Sequence, residues 1–395
     1  MIYDILVIGA GASGLAAAIS AAKTDSNIKI AVAEAMPRVG KKILATGNGR
    51  CNLTNLNAKP ADYRNSNFVA EILKKYSPKI IIDFFRSIGI MCRPDSEGRV
   101  YPMSNTATSV LDALRNEAER RKINFICDTH IDSIKKTNGI FIAGNICAHR
   151  VILSTGGCSS PSQGSDGSGY ELLKMLGHRV TSVYPGLVQL TTEENTKAVK
   201  GIRVKACVSL LEKNIQKDFS KGEVLFTDYG LSGIAIMDIS RSVTDGKYIC
   251  NIDMVPSCER KEAVNFLLSL DKSIMLEDAL AGFVPKKVGQ YVLKSMRTNS
   301  TAVLGELTES EIYDVVSALK NFSFKISGTR GFKDAQITVG GADVNEFDPI
   351  TLESKRVDGL FCTGELLDVD SVCGGYNLQW AWASGLNSGR FAALK

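Results

Sequence analysis

The sequence predicts an α/β protein built on a parallel sheet and interrupted by a separate β-rich unit. Three observations carry that prediction. A short apolar run, Ile5-Leu6-Val7-Ile8, ends in a glycine turn that opens a helix. The texture of the chain changes to alternating strands near residue 190. After about residue 330 it returns to strands and glycine loops, as in a domain that an insertion splits and the C-terminus completes.

Continuous apolar residues at 5–8 are the pattern of a strand buried on both faces of a parallel sheet. Leu15, Ala18, Ile19 and Ala22 follow at i, i+3, i+4 and i+7, one face of a helix, and Ile28 to Ala33 reads as the next strand. A βαβ unit thus starts the chain. Further helical faces lie at Phe68, Val69, Ile72, Leu73 and Tyr76, and at Val110, Leu111, Leu114 and Ala118. Residues 123–153 read as strands, with Asn138-Gly139 as a hairpin turn and Val151-Ile152-Leu153 as another buried strand ending at Thr155-Gly156-Gly157. Val204, Ala206, Val208 and Leu210 alternate as in a half-buried strand, and helical faces recur between 259 and 320. The expected domains are 1–189, an insertion over 190–330, and 331–395.

With 395 residues, 44% hydrophobic and 23% charged, the chain has the composition of a folded enzyme-sized protein rather than a disordered one. The 47 Lys and Arg against 42 Asp and Glu are scattered without a run, so nothing demands nucleic acid as a partner, and a small molecule is the expected substrate. No window approaches the ~20 apolar residues of a membrane span. The run from Ile5 to Ala22 also has Asp4 where a signal peptide carries positive charge, so a cytoplasmic location is expected. Ten cysteines form no Cys-x-x-Cys pair and there are three histidines, so neither a redox dithiol nor a metal site is expected.

Gly9-Ala10-Gly11-Ala12-Ser13-Gly14 is a G-x-G-x-x-G placed directly after a strand and opening a helix. Gly9 permits the tight turn, Gly11 lets a pyrophosphate approach the backbone, and Gly14 allows close packing, while the helix N-terminus offers amide donors. Glu34 stands 20 residues after Gly14, where a carboxylate accepts hydrogen bonds from a ribose diol. The fingerprint alone does not separate NAD from FAD. The stretch from Gly40 to Asn52, with its small residues, is suited to an anion-binding nest, and Lys42 and Arg50 would add charge beside phosphates or ring. At the other end, Gly359 to Glu365 reads as a strand ending in a tight loop. Gly374-Gly375-Tyr376-Asn377 precedes a final helix whose N-terminus suits an anionic group, such as the N1 and O2 region of a reduced flavin.

These stretches together resemble the bacterial family of FAD-dependent oxidoreductases that contains the aminoacetone oxidases and the 3-dehydro-bile-acid Δ4,6-reductases. The most specific pieces are Gly47-Asn48-Gly49-Arg50-Cys51-Asn52, Gly364 to Asp370, and Gly374 to Trp382, and the resemblance spans essentially the whole chain. It implies a Rossmann-like FAD-binding domain of the glutathione-reductase kind, with an inserted β-barrel and helical domain on the substrate side. It implies FAD contacts at Gly9, Gly11, Ala12, Ser13, Gly14, Glu34, Gly40, Lys42, Asn48, Gly49, Arg50, Cys51, Gly364, Glu365, Asn377 and Leu378. Relatives usually carry glycine at position 48, and a histidine commonly stands where this chain has Asp228. The resemblance therefore does not carry over a substrate or a proton donor. Tyr376, Asp228, Tyr229 and Arg99 are candidate catalytic groups, as polar side chains that would orient substrate or pass protons.

No second G-x-G-x-x-G occurs, since Gly164, Gly167 and Gly169 have different spacing, so no dedicated NAD(P)H domain is expected. Cys51 reads as a small packed residue and His178 as a packing or capping one. The resulting expectation is a flavin enzyme that exchanges a hydride with an organic substrate, first of all by NAD(P)H-dependent reduction of a conjugated ketone. An oxygen-dependent oxidase of a small amine such as aminoacetone, and a non-catalytic FAD-binding module, are the alternatives.

Overall fold

A computed structural model describes all 395 residues, Met1–Lys395, and the chain divides into two compact units: 1–184 with 336–395, and 185–335. The insertion is five residues longer at each end than the sequence texture indicates. Its ladder extends past the apolar stretch, with the amide of Arg330 donating to the carbonyl of Gln189, and Val188 is tied to Ser240 of the same unit.

The first unit is built on a parallel sheet in the order Asn124–Ile126, Ile30–Ala33, Ile2–Ile8, Ile146–Leu153. The strand Ile146–Leu153 is shared on its outer edge. Its N-terminal half pairs antiparallel with Ile140–Ala143, and its C-terminal half pairs parallel with Leu360–Cys362. A strand more than 200 residues downstream thereby completes the sheet begun at the N-terminus. Ile5 to Ile8 are buried, as a strand covered on both faces requires. The second strand starts at Ile30 and not at Ile28, because the amide of Lys29 bonds the carboxylate of Asp4 (2.7 Å) in place of a ladder partner. At Asn138-Gly139 both residues have positive φ (48° and 79°), the conformation that a two-residue hairpin turn demands.

The first helix, Ala12–Thr24, is alanine-rich and largely buried, and it packs against the final helix, Tyr376–Leu394. Gly385 and Gly389, one turn apart, set that crossing: a Cβ on either would lie 2.3 Å or 2.0 Å from the carbonyl oxygens of Ser13 and Ala17. A small antiparallel sheet of Thr54–Asn55, Arg99–Pro102 and Cys92–Pro94 flanks the glycine-rich loop after the second strand.

The second unit is a closed six-stranded antiparallel barrel, in the order Leu190–Thr192, Gly230–Ser232, Ile215–Phe226, Arg203–Glu212, Tyr248–Asp253, Phe322–Thr329. Val204, Ala206, Val208 and Leu210 all point into its core, beside Phe226 and Phe324. Helices at Arg260–Ser269, Lys286–Ser295 and Glu309–Lys320 belong to the same unit and share its core. No helix of the chain is long and apolar enough to cross a membrane, and no disulfide joins any of the ten cysteines.

Candidate functional site

The first strand delivers the chain into the fingerprint turn at Gly9, which has φ +98°. Gly11 is the N-cap of the first helix and has ordinary extended dihedrals (φ −78°, ψ −165°). A Cβ added there would meet nothing within 4 Å, whereas one at Gly14 would lie 2.0 Å from the carbonyl oxygen of Gly9. The two glycines therefore do different work: Gly14 closes the helix onto the turn, and Gly11 leaves an open approach to the backbone. Ala12 and Ser13 form the first turn, and Ser13 packs beneath Gly364 of the C-terminal loop.

Glu34 is buried at the end of the second strand. One of its oxygens accepts from the amide of Ala10 (2.7 Å) and the other from the amide of Met36 (2.9 Å). The carboxylate thus ties the fingerprint turn to the strand end. Each oxygen has a further lone pair, so both can still accept from a ribose diol.

The loop 47–52 is held in left-handed conformations at Gly47, Asn48, Gly49 and Cys51. Asn48, with φ 54°, departs from the glycine usual in relatives without departing from the conformation, since asparagine tolerates that region better than other side chains. Space beside Gly49 is also open to a Cβ. Arg50 lies with its guanidinium 4.9 Å from the Tyr101 ring centroid and donates to the carbonyl of Gly47. Cys51 is fully buried, and burial pushes its thiol up to about 12, so it is a packed thiol and not a thiolate.

Gly40 caps the short helix Lys41–Ala45 and packs on Leu111, which brings Lys42 to the C-terminal loop. The ammonium of Lys42 donates to Glu365 (2.9 Å) and to the hydroxyl and carbonyl oxygens of Ser159 (2.7 and 3.2 Å), so all three of its protons have acceptors inside the protein. Glu365 also accepts from Ser159 (2.7 Å) and from the amide of Thr338 (2.8 Å). Its desolvation is outweighed by Lys42 and these donors, and its carboxyl is held below the usual range. The sequence places Lys42 beside the phosphates or the ring of the cofactor. The structure gives its protons to a network that clasps three chain segments, and the sequence signal for Ser159 and Thr338 was only a hydroxyl after a strand or in one.

The final helix begins at Tyr376 with Gly375 as its left-handed N-cap. Asn377 turns back to bond the amide and carbonyl of Ser371 and the carbonyl of Val372, which fixes the loop before the helix, and Leu378 packs on the core. Further ties hold this helix to the loop after the second strand: Thr54 donates to Gln379 (2.6 Å), Asn55 to the carbonyl of Gly374 (3.0 Å), and Trp382 to the carbonyl of Leu53 (3.0 Å). Thr54 and Asn55, next to the Gly47 to Asn52 stretch, and Gln379, within Gly374 to Trp382, belong to the stretches that carry the family resemblance, but none of them stood out in the sequence as a cofactor contact.

The four candidate catalytic residues fare differently. Arg99 is paired with Asp95 (2.7 Å) and Glu97 (3.1 Å) of its own turn, which gives it a structural partner set. Tyr376 opens the final helix, with its ring edge-on to Tyr63. Asp228 and Tyr229 lie in the inserted unit, where Asp228 pairs with Lys200 (2.7 Å) and Arg330 stacks 4.7 Å from the Tyr229 ring centroid. His178 is buried, bonded to Glu346 and Ser354 (2.9 Å each) and stacked on Phe347, a packing role.

A parallel sheet, a glycine turn opening a helix and a buried acid at the end of the second strand define a dinucleotide-binding Rossmann protein. The open approaches at Gly11 and Gly49 and the free lone pairs of Glu34 fit a dinucleotide. The chain belongs to the family described as HI0933-like protein Rossmann domain, whose profile matches residues 3–391, and it is an FAD-dependent oxidoreductase. It is 38% identical over 403 aligned residues to a 3-dehydro-bile acid delta(4,6)-reductase of Clostridium scindens, covering 98% of both chains. It is 28% identical to a ribosomal RNA dihydrouridine synthase of Escherichia coli, over 97% of this chain and 96% of that one. Among solved structures it has the fold of the 3-ketosteroid delta1-dehydrogenase of Sterolibacterium denitrificans, with TM-score 0.52, 12% identity, and coverage of 100% of this chain and 99% of that one.

Proposed function

We propose that this flavoenzyme reduces a carbon–carbon double bond conjugated to a carbonyl in a small organic molecule, with NAD(P)H as electron donor. The observation that carries the reading is the 38% identity to the bile-acid reductase across both units of the chain, insertion included. Delta(4,6) unsaturation beside a 3-oxo group is a conjugated ketone. Dihydrouridine is likewise a uridine whose ring double bond, next to a carbonyl, has been saturated, so the two kinds of relative share one class of reaction.

A small substrate is favoured over RNA by the charge of the insertion, in which 20 Lys and Arg between Pro185 and Ala335 are offset by 19 Asp and Glu. Bound FAD supplies hydride exchange, and the protein supplies binding and electrostatics. The cofactor contacts we assign are the sixteen residues named from the resemblance, with Lys42 and Asn377 acting on the shape of the loops rather than as free donors. Lys200 holds the carboxyl of Asp228 below its usual range, which keeps it ionised and makes it a poor proton donor at neutral pH. Tyr229 and Tyr376 are then the hydroxyl-bearing choices for that role.

Anaerobic stopped-flow mixing tests the proposal. Flavin bleaching by NADH or NADPH, followed by reoxidation with a steroidal enone and ping-pong kinetics, is the expected result. Bleaching only by an amine such as aminoacetone would establish the oxidase instead. Reoxidation by a uridine-containing RNA and not by small enones would move the substrate to nucleic acid.

A further inference from the structure

We propose that Asn52 is a cofactor-binding residue whose side-chain carbonyl accepts a hydrogen bond from the imide N3–H of the flavin ring, beside helix amides that receive an adjoining ring carbonyl. Asn52 is 8% exposed, and its Oδ1 is buried without a hydrogen-bond partner. Such a group is uncommon in a folded protein and signals a missing partner. It does not sit in apolar core. Gly375, the N-cap of the 19-residue final helix, would place an added Cβ 2.8 Å from Asn52 Oδ1 and 2.6 Å from the carbonyl oxygen of Thr54.

The oxygen therefore lies at the start of a long helix, whose first-turn amides have no acceptor within the helix. An orphan acceptor next to orphan donors selects a ligand edge that presents a donor flanked by acceptors. Phosphate presents acceptors alone. The pyrimidine edge of a flavin presents N3–H between two carbonyl oxygens, which is the complementary pattern.

The placement is also rigid. Leu53, Thr54 and Asn55, next in the chain, are each bonded to the final helix or to Gly374 just before its cap, which fixes the backbone that carries Asn52. The Gly-Asn-Gly-Arg-Cys-Asn stretch thus has a second purpose beyond its backbone nest. Its last side chain reads the ring.

The inference rests on FAD as the cofactor and is independent of the substrate. Apoprotein prepared from wild type and from Asn52→Ala is titrated with FAD and with 3-methyl-FAD, which lacks the N3 proton, and flavin fluorescence gives each Kd. Wild type should bind 3-methyl-FAD at least about tenfold more weakly than FAD, the scale of one hydrogen bond. In Asn52→Ala the two should differ by less than about threefold. An undiminished penalty in the variant would overturn the assignment, while failure of wild type to bind FAD at all would instead overturn the cofactor. Should Asn52→Ala not fold, Asn52→Asp keeps an acceptor and adds a negative charge beside the reduced ring. It should retain FAD within about threefold and lower the flavin midpoint potential, and an unchanged or raised potential would refute the placement.

Discussion

Gly11→Ala and Gly14→Ala differ by one methyl group each, three residues apart, and the structure predicts opposite phenotypes. At Gly11 the backbone is extended, which alanine adopts freely, and the new Cβ meets no protein atom within 4 Å. Folding stability should change by no more than about 0.5 kcal/mol, the range of a substitution that touches nothing. The methyl group would nevertheless occupy the open approach through which a pyrophosphate reaches the helix N-terminus. FAD affinity should fall at least about 100-fold, equivalent to roughly 2.7 kcal/mol. At Gly14 the Cβ would lie 2.0 Å from Gly9 O and 2.6 Å from Ser154 Oγ, so helix, turn and the neighbouring strand end must separate. Overpacking of this kind costs about 1–3 kcal/mol or more, and it should appear as a lowered Tm of the apoprotein itself. Thermal unfolding of both apoproteins, followed by FAD titration, separates the two effects. A Gly11→Ala protein that binds FAD as tightly as wild type would refute the role of the open approach.

Glu34→Ala should weaken FAD binding by about 1–3 kcal/mol, because it removes the ribose acceptor and also frees the amides of Ala10 and Met36; equilibrium dialysis would read it. Lys42→Met should raise the pKa of Glu365 and cost about 1–3 kcal/mol of stability, as it leaves a carboxylate between Ser159 and Thr338 without its cation; urea unfolding at pH 7 and pH 5 would show a smaller cost at the lower pH. Burial holds His178 below its ordinary value, so the unfolded chain takes up its proton first, and stability should decline as pH falls through about 6.5, with Glu346, also held low, adding to the loss below about 4.3. His178→Gln should flatten the urea midpoint between pH 7 and pH 5, and an unchanged slope would reassign it. Limited proteolysis should nick near 185 or 335 before it cuts between Ile5 and Glu34, as judged by mass spectrometry of the first fragments.

The sequence by itself determined the parts whose physics is local. The first strand, its glycine turn, the first helix and Glu34 fall within 34 residues, and their roles follow from burial period, backbone freedom and the reach of one side chain. The Asn-Gly hairpin and the alternation from Val204 to Leu210 are equally local, and both formed where the pattern put them. Tertiary structure alone decided which distant residues close the site. Lys42 and Glu365 are 323 residues apart, and Thr54 and Gln379 are 325 apart. Their pairings arise only once the sheet takes its last strand from Leu360–Cys362 and the two long helices cross. That closure turns Lys42 from a free cation into a clasp and leaves Asn52 with a buried oxygen and no partner. No periodicity records such a pairing, because the energy of a buried polar group depends on the neighbours that folding brings to it and not on those beside it in the chain.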